Sequence, residues 1–162
     1  MSKRQRILIG MVAGMVWAIG VIWLGVRWEV GMSVPEAAPF AFLGPGCAML
    51  VMVARLAQRR FFDDRIVDGD RFDGADAITQ RVLSNTVEQS VLALCLWVPA
   101  AILLDSAGVL IALGIGFFVA RMAFWIGYHL SPPLRGFGFA ASFYPTILVL
   151  IWALVSVLIE TS

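Results

Sequence analysis

The sequence predicts an all-α integral membrane protein of five spans, and three observations carry that reading. Of its 162 residues, 60% are hydrophobic and only 14% are charged, with a mean hydropathy of +0.89, whereas a soluble domain has about 25% charged residues. The chain divides into five apolar stretches, each near the ~20 residues that a helix needs to cross a bilayer. The charges are gathered mostly between these stretches rather than spread along them.

The first stretch, Ile7 to Val26, is twenty uncharged residues behind the basic SKRQR. A signal peptide begins in the same way, but its apolar core is shorter and a small-residue cleavage site follows. Here WLGVRWEV follows, so residues 1–30 are expected to remain as an anchor helix. Trp23 and Trp28 suit its interfacial end. The second span runs from about Pro39 to Ala57, with Gly44-Pro45-Gly46 expected to kink it. The one long polar segment comes next, RRFFDDRIVDGDRFDGADAITQ, with six Asp and four Arg. Its D-G-D-R-F-D-G is spaced one place off a calcium loop, and a solvated surface loop is expected instead. The third span runs from about Ala77 to Leu104, capped by Asp76 and bent at Pro99. Asp105 to Gly108 form a tight turn before the fourth span, Val109 to His129. SPPLRG interrupts, because Pro-Pro fits a connection or a first turn and not a helix interior. The fifth span runs from about Gly136 to Ile159.

With the N-terminus inside, the inner segments are SKRQR, the Arg-rich loop and HLSPPLRG. The outer segments then hold Arg27 as their one cation, beside Glu29, Glu36, Asp105 and Glu160. That asymmetry obeys the positive-inside rule and places the N-terminus in the cytoplasm. A multi-pass protein of a bacterial-type inner membrane is the localisation expected.

Several function classes drop out. Cys47 and Cys95 lie inside apolar runs and read as buried small hydrophobes. His129 is the only histidine, so no metal site is expected. No phosphate loop, Ser-His-Asp set or nucleic-acid partner is indicated.

What stands out is polar groups where lipid should be. Arg81, Asn85 and Glu88 fall at i, i+4 and i+7, on one helix face. Glu88 lies eleven residues past Ala77, roughly 16 Å into its span by helix rise, where a lone charge costs at least ~2.5–3.5 kcal/mol. Arg121, Phe124 and Tyr128 share a face of the fourth span. Arg121 pairing with Glu88 as interhelical glue is the plainest account of these two charges. It leaves a surplus: Arg59, Arg60, Arg81, Arg121 and Arg135 set five guanidiniums against Glu88 at the inner ends of four spans. A ligand with two negative groups and a donor for Glu88 would balance them. The bias to Arg over Lys suits bidentate capture of carboxylates, and GC-rich coding would produce it equally.

Three motifs together carry a resemblance. R-x-x-x-N-x-x-E (Arg81, Asn85, Glu88), A-R-x-x-x-W-x-G-Y (Ala120, Arg121, Trp125, Gly127, Tyr128) and R-G-F (Arg135, Gly136, Phe137) occur in order over about residues 40 to 160. The sequence thereby resembles the MAPEG superfamily, the membrane-associated proteins of eicosanoid and glutathione metabolism. The resemblance implies a four-helix membrane domain over residues 38–160, with the first span additional, and a homotrimer binding glutathione between subunits. It implies that Arg81, Asn85 and Glu88 grip the glutamyl end, with Glu88 on the ammonium. Arg59 or Arg60 would meet the other carboxylate, Arg121 and Tyr128 would line the site, and Arg135 would face the sulfur as the catalytic residue. Gln89 and Phe124 depart from the leukotriene-forming branch, which has tyrosines there.

The activity so implied is a glutathione-dependent transferase or peroxidase, acting on a lipophilic electrophile or lipid hydroperoxide that enters from the membrane lipid. The alternative is a non-catalytic lipid-binding or scaffold protein like the lipoxygenase-activating branch, which lacks the arginine at Arg135. A small transporter is a third reading, poorly served by five spans without internal symmetry.

Overall fold

A computed structural model of the chain describes residues 2–161. Met1, Ser162 and the side chain of Lys3, which belongs to the basic leading stretch, lie outside the described residues. Five helices make up the fold, with no strand among the described residues: α1 (Lys3–Arg27), α2 (Val34–Phe61), α3 (Gly74–Leu103), α4 (Ala107–Leu130) and α5 (Pro132–Glu160). All five are long and apolar enough to cross a membrane.

Serines start four of them. Ser2 and Gln5 form a reciprocal capping box on α1, Ser2 N donating to Gln5 Oε1 at 2.7 Å and Gln5 N to Ser2 Oγ at 3.2 Å. On α2, Ser33 donates from both its backbone N and its Oγ to Glu36 Oε2, each at 2.8 Å. Ser106 Oγ accepts from Val109 N at 3.3 Å, and Ser131 Oγ from Leu134 N at 3.4 Å. Such caps satisfy backbone donors that the helix itself leaves orphaned.

All five helices begin earlier than hydropathy indicated, by up to five residues at the start of α2 and four at the start of α5, and all but α3, which stops at Leu103, end later. Pro35 of α2 and Pro132 and Pro133 of α5 fall in first turns, where a missing N–H costs nothing. Helices α2 and α3 continue through Pro45 and Pro99, although neither proline has an N–H to donate to the ladder. Two expectations are corrected outright. Asp73, not Asp76, occupies the cap position of α3, while Asp76 sits in the first turn and binds Arg59. The turn before α4 is shorter than four residues, since Ala107 and Gly108 are already helical and Asp105 turns the chain at φ 46°.

The packing centres on α4 and α5. Helix α4 touches all four others, whereas α1 packs on α5 and α4 and meets neither α2 nor α3. The chain is thus a bundle of α2 to α5 with α1 laid against the α4–α5 side. Small residues let α1 and α5 approach closely: a Cβ on Gly14 would stand 2.5 Å from Ala140 Cβ and 2.9 Å from Ala141 N, and one on Gly10 would strike the Pro133 carbonyl. Within lipid there is no hydrophobic drive between helices, so close backbone contact of this kind does the joining. Trp97 is the largest buried side chain. It lies parallel to Phe42, edge-on to Phe117, and donates from Nε1 to Thr146 Oγ1 at 2.9 Å. Cys47 and Cys95 are exposed on the protomer surface, correcting the expectation that they are buried.

Candidate functional site

The connectivity brings the C-terminal ends of α2 and α4 together with the N-terminal ends of α3 and α5. Arg59, Arg60, Arg81, Tyr128 and Arg135 therefore lie toward one end of the bundle, with Glu88 and Arg121 deeper, near the middle of α3 and α4.

Arg121 is wholly buried, and no carboxylate meets it. Its Nε donates to Thr86 Oγ1 at 3.0 Å, Nη1 to Ser142 Oγ at 3.3 Å and Nη2 to the Val82 carbonyl at 3.4 Å. Two helices, α3 and α5, thus hold one guanidinium by neutral acceptors. The two hydroxyls can accept because their own protons go elsewhere, Thr86 to Val82 O at 2.7 Å and Ser142 to Gly138 O at 3.0 Å. The glue reading fails in its simplest form: Arg121 does not pair with Glu88, and the ion pairs among the described residues are Arg59–Asp76 and Arg65–Asp63. Arg121 is thus enclosed within the protomer, unlike Arg81 and Glu88, which are exposed.

From Arg121 a stack of cations and rings leads outward. Its guanidinium carbon sits 4.1 Å from the centre of the Phe124 ring, Phe124 meets Tyr128 edge-on at 5.1 Å, and Arg135 lies 4.9 Å over Tyr128. A guanidinium over a π-face at each end of the ring pair is attractive by charge against quadrupole. Gly127 makes this possible, because a Cβ there would run into the Arg135 backbone N where α5 begins. Arg135 is half-buried in the first turn of α5, its backbone N bonded to Ser131 O at 3.1 Å.

The α3 face is more open. Arg81 and Glu88 are exposed on the protomer and in no ion pair. Asn85 Nδ2 donates to Glu88 Oε2 at 3.2 Å, while Asn85 Oδ1 is buried without a partner. One turn beyond, Gln89 is 4% exposed with both amide atoms unpartnered. An orphaned buried amide costs about 1–3 kcal/mol for each lost bond, so this region lacks acceptors and donors that something else must supply. Arg59 and Arg60 separate cleanly. Arg59 Nε is bound to Asp76 Oδ2 at 2.7 Å, whereas Arg60 stacks on Phe72 at 4.7 Å and stays unpaired. Nearby, Arg65 donates from Nε and Nη2 to Asp63 at 3.0 and 2.9 Å, which holds the Asp63 carboxyl below its ordinary range.

The MAPEG family model matches residues 37–155, from the first turn of α2 into the last turns of α5. The chain belongs to the MAPEG family. All three motifs lie inside the matched segment of this MAPEG chain, and α1 lies outside it. The family includes glutathione transferases and also non-catalytic members. No curated protein and no solved structure matches the chain.

Sequence reading missed Thr86, Ser142 and Thr79, whose Oγ1 accepts from Trp125 Nε1 at 3.1 Å. One signal was available for Ser142: it follows Arg135 by seven residues and so shares its face of α5. Thr86 carried none, standing beside Asn85 on the next face around.

Proposed function

We propose that this MAPEG protein is a glutathione-dependent membrane transferase or peroxidase, assembled as a homotrimer with its arginine-rich end at the cytoplasmic face of an inner membrane. One observation carries the reading: Arg60, Arg81, Arg121 and Arg135 have no carboxylate partner, and Glu88 has no cationic one, among the described residues. Charges are kept unpaired at membrane depth only when something outside the chain completes them. Glutathione offers two carboxylates for arginines of that set, an ammonium for Glu88 and a thiol for Arg135.

In this reading Arg81 and Asn85 hold the glutamyl end and Glu88 accepts from its ammonium. The other carboxylate falls to Arg60, since Arg59 is occupied by Asp76. Tyr128 fixes Arg135 by its ring face, and the guanidinium is free to face the sulfur. A free thiol has a pKa of ~8.5, so about 3% is thiolate at pH 7. A guanidinium at hydrogen-bond distance favours the anion and lowers that pKa. The thiolate then attacks an apolar electrophile arriving from the bilayer, forming the sulfur–carbon bond as the leaving group departs.

Thermal unfolding of the detergent-solubilised protein with and without glutathione, beside turnover of an aryl halide, tests this. A raised midpoint with glutathione and glutathione-dependent product formation are expected. No shift and no product would remove the enzyme reading in favour of a lipid-binding role.

A further inference from the structure

Helix α1 is seated at two levels. Toward its start Gly10 and Gly14 lie against α5, and toward its end a Cβ on Gly25 would stand 2.6 Å from Val109 Cα of α4. Beside these contacts α1 and α4 leave a groove of about 470 Å³, in the size range of small-ligand sites. Trp17, Val21 and Leu24 wall it at i, i+4 and i+7, one face of α1. Ala112 and Gly116, one turn apart on α4, keep its floor low. Leu24 and Ile115 on its walls are 58% and 53% exposed, so the groove opens sideways, toward lipid.

Its single charged wall residue is Arg27, in the last turn of α1, at the end of the bundle away from Arg60, Arg81 and Arg135. Arg27 makes no ion pair among the described residues, and its guanidinium carbon lies 5.4 Å from the centre of the Trp23 ring. Glu29 does not compete, for it lines a separate recess with Asp105. Trp23 and Trp28 beside Arg27 are the residues that settle at headgroup depth. From Arg27 to Trp17 is ten residues, about 15 Å by helix rise, half of the ~30 Å hydrocarbon core. The groove thus has the length of one leaflet, apolar at acyl depth and cationic at headgroup depth.

We propose that this groove binds one anionic phospholipid of the leaflet at that end, an acyl chain lying between α1 and α4 and the phosphate on Arg27. One wall of the site is α1, which lies outside the family-matched segment. The proposal is independent of the glutathione reading.

The test is tryptophan quenching of the full chain in phosphatidylcholine vesicles, titrated with mid-chain-brominated phosphatidylglycerol or with phosphatidylcholine brominated in the same way. Trp17→Phe isolates the signal of the groove, and it removes no hydrogen bond, because Trp17 Nε1 has no partner. The Trp17 component should half-saturate at about fivefold lower mole fraction of phosphatidylglycerol, the effect of one arginine on an anionic lipid. Arg27→Gln should make the two lipids alike, and Arg27→Lys should keep the preference. Equal quenching of the wild type by both lipids overturns the proposal, as does a preference that survives in Arg27→Gln. Trp17 quenched by neither lipid overturns it too, since the groove is then covered by protein in the assembled membrane form.

Discussion

Tyr128 holds Arg135 by a ring face and not by a hydrogen bond, so Arg135→Ala removes a charge while the Gly127 contact with the α5 backbone stays in place. If that charge lowers the bound thiol's pKa by about two units, it supplies ~2.7 kcal/mol, and the thiolate fraction at pH 7 rises from about 3% to roughly three quarters. The variant should bind glutathione nearly as well but lose the ultraviolet thiolate signal at pH 7. Its rate should fall most near neutrality and recover as pH passes ~8.5, because the raised pKa withholds the anion only below that value. Stopped-flow absorbance across a pH series measures this, and unchanged signal and rate would end the mechanism. Glu88→Gln asks a different question. Glu88 is exposed and its one hydrogen bond is from Asn85, so folding should survive while glutathione affinity drops about 10- to 150-fold, the scale of hydrogen bonds to a charged group. A variant that unfolds, beside a wild type indifferent to glutathione, would make Glu88 structural. These residues were legible because the face of a helix follows from spacing. Their partners were not: Arg121 meets Thr86 and Ser142 across 35 and 21 positions of chain, and nothing in spacing separates Arg59, which finds Asp76, from Arg60, which does not.

The five helices were legible for a related reason, since apolar length is a direct requirement of the bilayer. Their ends were not, because hydropathy marks where lipid begins and the hydrogen-bond ladder continues past it. Ser33 and Ser131 start their helices in polar or proline-bearing turns that no apolar window includes. Helix α1 gives the sharpest contrast, being readable as a span but not as a packed partner of α5. Two glycines on it make that packing testable. At Gly14 a Cβ meets Ala140 and Ala141, whereas at Gly20 it meets nothing within 4 Å. Gly14→Leu should therefore cost about 1–3 kcal/mol through overpacking, seen as a lower thermal midpoint, and Gly20→Leu should cost far less. Equal effects at both sites would mean that α1 is not seated on α5 in this way. Three crossings separate the acidic loop from the end of α5, so reporters fused at Asp68 and at Ser162 should report opposite compartments. A shared compartment would rule out five crossings.

Assembly follows from what one protomer leaves uncovered. Helix α3 packs on α2, α4 and α5, yet it turns Arg81 and Glu88 outward, where lipid would surround them. A charge at such depth costs at least ~2.5–3.5 kcal/mol even on the lenient insertion scale, and hydrogen bonding within the protomer offsets little of it, since Glu88 has only Asn85. A neighbouring subunit over this face would remove the penalty, and the closed rotational symmetry of the homotrimer proposed above would give every copy the same cover. Cys95 offers a measurement on this surface, for it follows Glu88 by seven residues, on the same side of α3, and is exposed on the protomer. In mild detergent a membrane-permeant maleimide should label Cys95 slowly, and labelling should speed up on dissociation in harsh detergent, as native mass spectrometry shifts from trimer to monomer. A monomer in mild detergent with Cys95 freely labelled would leave Arg81 and Glu88 facing lipid alone, and would take the intersubunit site away with it.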